Sequence, residues 1–261
     1  MRTTLDFYNK KLKTLSILPD GNIDELYCSN NQLSSLPELP SSLGRLYCSK
    51  NILTKLPKLP NSIDFINCSK NNLTDLPKLP NSLESLICHK NILEELPELP
   101  ETLTFLSCSD NNLKKLPELP NSLHDLDCSI NELSKLPKLP NTLITLDCHY
   151  NNLTELPELP NDLNEIICYE NELTHLPELP SKLEYLDCRN NKLSKLPELP
   201  MLLIQFDCSN NNLTELPLFL PESLKILICH NNKLPYNNLT EYNEWLSINH
   251  SELFNSKKFN L

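Results

Sequence analysis

The chain has 261 residues, 34 acidic and 23 basic side chains, a formal net charge of −11 and a pI near 5.0. That balance argues against a duplex nucleic-acid binder, which neutralises phosphates with a basic face. Nothing approaches the roughly eighteen consecutive apolar residues of a membrane span, and the opening segment lacks the apolar run of a secretory signal.

Residues 1–20 read as an N-terminal cap joined to a degenerate repeat. Leu5, Phe7 and Tyr8 are expected to cover the end of the core. Leu12, Leu15, Leu18 and Pro19 stand where a worn copy of the following unit would place them.

Residues 21–235 then hold eleven copies of one unit, x-x-L-x-x-L-x-C-x-x-N-x-L-x-x-L-P-x-L-P, running without a gap from Gly21 through Pro200. Cysteines recur every twenty residues from Cys28 to Cys208, and one extra residue near Phe219 moves the last to Cys229. A fixed period of this length marks a solenoid: one copy cannot bury its own apolar face, so its neighbours must close the core. In L-x-C, buried and polar positions alternate with the period of a short strand. The asparagine at position eleven follows that strand. Its amide can both donate and accept, so stacked copies could satisfy backbone groups as a ladder. The L-P-x-L-P segment cannot be α-helical and favours extended or polyproline II geometry. With two glycines in the chain, asparagine is expected at the left-handed turn positions.

Residues 236–261 read as a C-terminal cap. Asn238 and Glu241 have the spacing of a helix-starting capping pair. Leu239, Tyr242, Trp245 and Leu246 would then share one helix face, with Trp245 against the last repeat. A partner-binding helix is the alternative.

The unit L-x-x-L-x-C-x-x-N-x-L resembles the strand-and-turn signature of leucine-rich repeat proteins over residues 12–235. The twenty-residue L-P-x-L-P form is similar to the shortest subclass, found in effectors that bacteria inject into host cells. Cysteine at position eight departs from those effectors. Together with the abundant asparagine it resembles leucine-rich repeat proteins of giant DNA viruses. The resemblance implies a β-rich solenoid with a parallel sheet on its concave face, extended or polyproline II segments on its convex face, and a short helical cap. It implies no particular partner. Neither the helical hairpin nor the ubiquitin-ligase domain that accompanies some such effectors is expected from residues 1–261.

Bridged, the cysteines would suggest export. Their odd number and buried period instead favour reduced core thiols and a cytoplasmic setting. No copy pairs its cysteine with a histidine or second cysteine at metal-ligand spacing. The Asn-x-Thr triplets at Asn72, Asn152, Asn212 and Asn238 arise mainly from the repeat and carry no meaning without export.

Constant positions build the scaffold, so variable positions five, seven and nine carry any specificity. Stacked in register, they form columns. Tyr27, Tyr47, Phe65, Ile87 and Phe105 give the first half an aromatic and apolar character. Asp125, Asp127, Asp147, Glu165, Asp187 and Asp207 make the second half acidic, with Tyr185 among them, and Lys50, Lys70 and Lys90 adjoin the aromatic end. Tyrosine and phenylalanine also suit sheet surfaces for their own sake; clustered and exposed, they anchor partners. Asp127, Asp147 and His149 could begin a cation or acid–base site, but on an open face they read as a solvated acidic stripe. No catalytic constellation or cofactor site emerges. The expectation is a monomeric, non-enzymatic protein-interaction module whose concave sheet face binds a protein, with a host protein as one candidate. A self-associating structural protein and a cation-binding protein are the alternatives.

Overall fold

Position ten of the repeat, three residues past the end of each strand, is where the chain bends. A computed structural model describes residues 3–15, 18, 22–217 and 219–249. Pro19 of the worn copy and residues 250–261 of the expected cap lie outside the described residues. The chain divides after Asn152 into two compact units.

In the first unit, β1 (Thr3–Asp6), β2 (Ile23–Tyr27), β3 (Arg45–Tyr47), β4 (Phe65–Asn67), β5 (Ser85–Ile87), β6 (Phe105–Ser107), β7 (Asp125–Asp127) and β8 (Thr145–Asp147) pair in parallel and in chain order. From β2 onward each residue faces its equivalent one copy later, as in Leu46↔Ile66. The second unit repeats the arrangement with β9 (Glu165–Ile167), β10 (Tyr185–Asp187), β11 (Gln205–Asp207) and β12 (Ile226–Ile228), then closes with α1 (Leu239–Asn249). Each turn of chain thus adds one strand of a parallel β-solenoid.

The core is made of the constant positions. Leu46, Cys48, Leu53 and Ile63 are fully buried, as are their equivalents from Leu83 through Leu203 to within about one per cent, while Leu5, Leu12 and Leu234 at the two ends are half-buried. All eleven cysteines are buried and unbridged. Burial pushes the Cys28 and Cys68 thiols up to about 12.

The asparagines form the ladder that their chemistry allows. Asn51 Nδ2 donates to the carbonyls of Cys28 at 3.0 Å and Cys48 at 3.1 Å, while its Oδ1 accepts from Leu33 N–H at 2.9 Å. Asn71, Asn91, Asn111 and Asn211 make the same three bonds. Every asparagine therefore serves its own copy and the one before it. The ladder asparagines are not themselves left-handed; asparagine takes that conformation at Asn9, Asn30, Asn190, Asn210 and Asn231, as expected, but other residue types take it in the remaining copies. Positive φ falls at position ten, on Asn30, Lys50, Lys70, Lys90, Asp110, Ile130 and Tyr150 in the first unit and on Glu170, Asn190, Asn210 and Asn231 in the second. The bend is imposed by the ladder on whichever residue stands there, and the side chain of position eleven is already committed.

Hydroxyl groups form a second ladder. Ser62, Ser82, Thr102 and Thr142, at position two, donate their hydroxyls to carbonyls of the preceding copy at 2.6–2.9 Å. In the second unit an Asp162–Lys182 ion pair stands at these positions.

The worn copy begins earlier than its leucines suggested. Leu5 pairs with Leu26 in β1, and Asn9 takes the left-handed turn at φ 54°. Tyr8 is half exposed instead of covering the core end. At the other end, Glu241 N–H donates to Asn238 Oδ1 at 3.0 Å and Asn238 Nδ2 donates to Glu241 Oε1 at 2.8 Å, starting α1 as the capping pair predicts. Tyr242 and Leu246 are buried, and Trp245 packs 5.3 Å from the Tyr236 ring.

Candidate binding face

Positions five and seven point away from the core because six and eight point into it. On the first unit this places Tyr27 and Tyr47 face to face, with ring centroids 4.3 Å apart and planes 4° from parallel. Phe65 continues the stack at 4.8 Å and a 33° tilt. Register places Tyr27 opposite Tyr47, so strand spacing of roughly 4.8 Å brings those two position-seven rings into a stack, whereas Phe65 stands at position five opposite Arg45 and reaches Tyr47 on the diagonal. The Tyr27 hydroxyl donates to Glu25 Oε2 at 3.3 Å, and burial followed by the Tyr47 hydrogen bond pushes its pKa up to about 12. Arg45 reaches Glu25 at 3.7 Å and Asp64 at 3.5 Å along one border of the stack. Further along, Ile87 is half-buried and Phe105 is 36% exposed.

The acidic residues behave differently from the expected solvated stripe. Asp127 accepts from the hydroxyls of Ser107 at 3.0 Å, Ser109 at 2.6 Å and Ser129 at 2.6 Å. Asp147 lies 2.5 Å from His149 Nδ1, and Asp125 accepts from the Thr145 hydroxyl at 2.5 Å. Asp127 and Asp147 do face each other across β7 and β8. Yet the carboxylates of both are turned to polar side chains at position nine.

In the second unit Asp187 and Asp207 are only 2% and 7% exposed, which corrects their placement on an open surface. Arg189 pairs with Asp187, lies 3.7 Å from Asp207, and stacks 3.9 Å over the Tyr169 ring. Ser209 donates both its N–H, at 2.9 Å, and its hydroxyl, at 2.6 Å, to Asp207. A carboxylate at position seven with a donor at position nine closes a local turn that neutralises and buries the acid. Glu165 and Tyr185 stay half-buried, and burial followed by the Asp187 charge raises the Tyr185 pKa. The signal that marks this in the sequence is the Asp/Asn-x-Ser/His/Arg triplet that begins on the last strand residue at Asn67, Asp127, Asp147, Asp187 and Asp207.

Among the described residues no group of three His, Cys, Asp or Glu is placed to hold a metal ion, and no helix is long and apolar enough to cross a membrane. His89 stands where column nine meets the lysine border, and burial followed by the Lys70 charge lowers its pKa.

Parallel strands one copy apart, an asparagine ladder and a stacked cysteine core define a leucine-rich repeat solenoid. No family profile matches the chain, and no curated protein does. Solved structures do. YopM from Yersinia enterocolitica WA-314 is 44% identical with a TM-score of 0.84; the match covers 85% of this chain and 49% of that one. YopM from Yersinia pestis, described as a leucine-rich effector protein, is 34% identical with a TM-score of 0.64, covering 88% and 77%. The functional domain of InlJ from Listeria monocytogenes, which includes a cysteine ladder, is 32% identical with a TM-score of 0.62, covering 74% and 45%. The chain belongs to the leucine-rich repeat family. It spans about half of the Y. enterocolitica chain that it matches.

Proposed function

We propose that this chain is a non-enzymatic protein-binding module whose partner docks on the sheet face of the first unit. The observation that carries this reading is the Tyr27–Tyr47–Phe65 stack, three rings in continuous contact on the solvent side of β2, β3 and β4. Rings already stacked lose little side-chain freedom on binding and offer a large contact area. The scaffold below needs none of them, since the core and both ladders use other positions. Ile87 and Phe105 extend the surface. Asp125, Asp127 and Asp147 border it as a polar edge, while Glu165, Tyr185, Asp187 and Asp207 serve the second unit's own architecture. The likeness to a Y. pestis effector supports action on a protein of another cell. Eleven unbridged buried thiols suit a reducing compartment such as the cytoplasm. The net charge of −11 disfavours nucleic acid as the partner. The module works as a monomer.

Tyr47→Ala with Phe65→Ala tests the reading. Affinity capture from host-type cell extract should lose its specific partner while the circular dichroism spectrum and unfolding midpoint stay near those of the unaltered chain. Capture that is unchanged in a folded double variant removes this face from consideration.

A further inference from the structure

We propose that the face of the first unit takes an amphipathic helix from its partner, lying across the strands, with acidic side chains along one flank of its apolar stripe and basic ones along the other. This deepens the proposed function and rests on it.

The dimensions come first. The strip from Tyr27 to Phe105 crosses β2 to β6, four strand intervals, or about 19 Å. A helix of about 13 residues has that length, and its turn of about 5.4 Å nearly matches the strand spacing, so successive turns meet successive strands. The strip alternates between position seven at Tyr27, Tyr47 and Ile87 and position five at Phe65 and Phe105. Those positions are about 6.6 Å apart along a strand, a width suited to one apolar helix face. A β-strand partner would instead need a free sheet edge, and β2 to β6 are paired on both sides.

Charge then selects the flanks. Past the C-terminal ends of the strands, Lys50, Lys70 and Lys90 repeat at position ten, all exposed and all held in the same left-handed turn. Before the N-terminal ends, position four supplies Asp64, which reaches the face through its 3.5 Å contact with Arg45, and the exposed Glu84. The apolar strip therefore runs between a basic border and an acidic one. Lys90 is 3.5 Å from Asp110, where the basic border ends together with the aromatic strip. A helix basic on both flanks would meet repulsion at Lys50, Lys70 and Lys90, and one acidic on both flanks would meet it at Glu84 and at Asp64, which Arg45 already partners.

Three synthetic helical peptides of about 14 residues with a common leucine stripe form the probe: one with acidic and basic flanks, one acidic on both, one basic on both. In fluorescence anisotropy at about 150 mM salt, where charges farther apart than about 8 Å are screened, the split-flank peptide should bind at least about tenfold more tightly than either other. Lys50→Glu with Lys70→Glu and Lys90→Glu should transfer the preference to the doubly basic peptide. If the triple variant does not fold, Lys70→Glu alone should narrow the discrimination. Equal binding of the three peptides, no binding of any, or a preference unmoved by charge reversal overturns the helix. Partner capture that still depends on Tyr47 and Phe65 would then leave the surface in place, whereas capture indifferent to them removes the surface itself.

Discussion

Asn111 offers a quantitative test of the ladder. Its side chain is 8% exposed, with Nδ2 donating to Cys88 at 3.2 Å and Cys108 at 3.0 Å, and Oδ1 accepting from Leu93 N–H at 3.0 Å. Asn111→Ala leaves the Leu93 donor without its partner in a fully buried position. The unmet buried donor costs about 1–3 kcal/mol and the two lost Nδ2 hydrogen bonds about 0.5–1.5 kcal/mol each, for a total of about 2–6 kcal/mol. Asn111→Asp separates the two halves of the amide. One oxygen still accepts from Leu93, but the other now faces two carbonyl oxygens. Burial and those carbonyls favour the protonated acid, so its folded pKa rises above the unfolded value of about 3.9. A raised folded pKa means that the variant's stability is fullest below the unfolded pKa and is lost as pH climbs through the folded one. Urea unfolding of the unaltered chain, Asn111→Ala and Asn111→Asp at about pH 4 and pH 7 measures both effects. The Asp variant should be the least stable of the three at neutral pH and recover toward acid. An Ala variant within about 0.5 kcal/mol of the parent, or an Asp deficit that grows on acidification, would refute the ladder as a source of stability.

Ile130 is a β-branched residue at φ 52° and 43% exposed; Ile130→Asn should raise the unfolding free energy by about 1 kcal/mol, and a lower urea midpoint would contradict this. The thiols should be silent in the native chain: a colorimetric thiol reagent should find nearly none before denaturation and all eleven after it. Because burial raises Cys28 and Cys68 to about 12 from 9.0, stability should be intact below the unfolded pKa and decline as pH rises from about 9 toward 12. Glu241 has its pKa lowered by hydrogen bonds from the Asn237 side chain and backbone, so its support of α1 is present above its unfolded pKa and lost as pH falls through the folded one. Trp245 is the chain's single tryptophan, and in Glu241→Ala its fluorescence should change at lower urea than the far-ultraviolet signal; coincident transitions would show that the cap needs no such bond.

The scaffold was legible because it repeats. Leucine and cysteine two residues apart announce which way each strand side chain points, and proline excludes helix from the return segment. Asparagine at a constant offset announces a ladder, since its amide meets the same pair of carbonyls in every copy. The turn was less legible. Position ten carries Lys, Asp, Ile, Tyr and Glu as well as Asn, and no residue preference marks a left-handed bend that neighbouring hydrogen bonds impose. The Ser/Thr hydroxyl ladder at position two was hidden for a related reason: such residues suit turns anyway, so their second role shows only in space. The Tyr27–Tyr47 stack followed from register, and Phe65 joins it diagonally from position five. The acidic half did not, because a column reading treats Asp187 and Arg189 as separate surface positions. Two residues apart after a strand, they fold onto each other.

Each asparagine completes the copy before its own, and nothing in the ladder points the other way. A copy leaving the ribosome thus has its own asparagine on its cysteine carbonyl but keeps the N–H of Leu33, or of the equivalent leucine, without the Oδ1 it will meet until the next twenty residues follow. Synthesis and closure run in the same direction, one turn behind each other. The bond from Cys229 N–H to the Asn237 carbonyl, ahead of α1, ends that sequence with a different kind of partner.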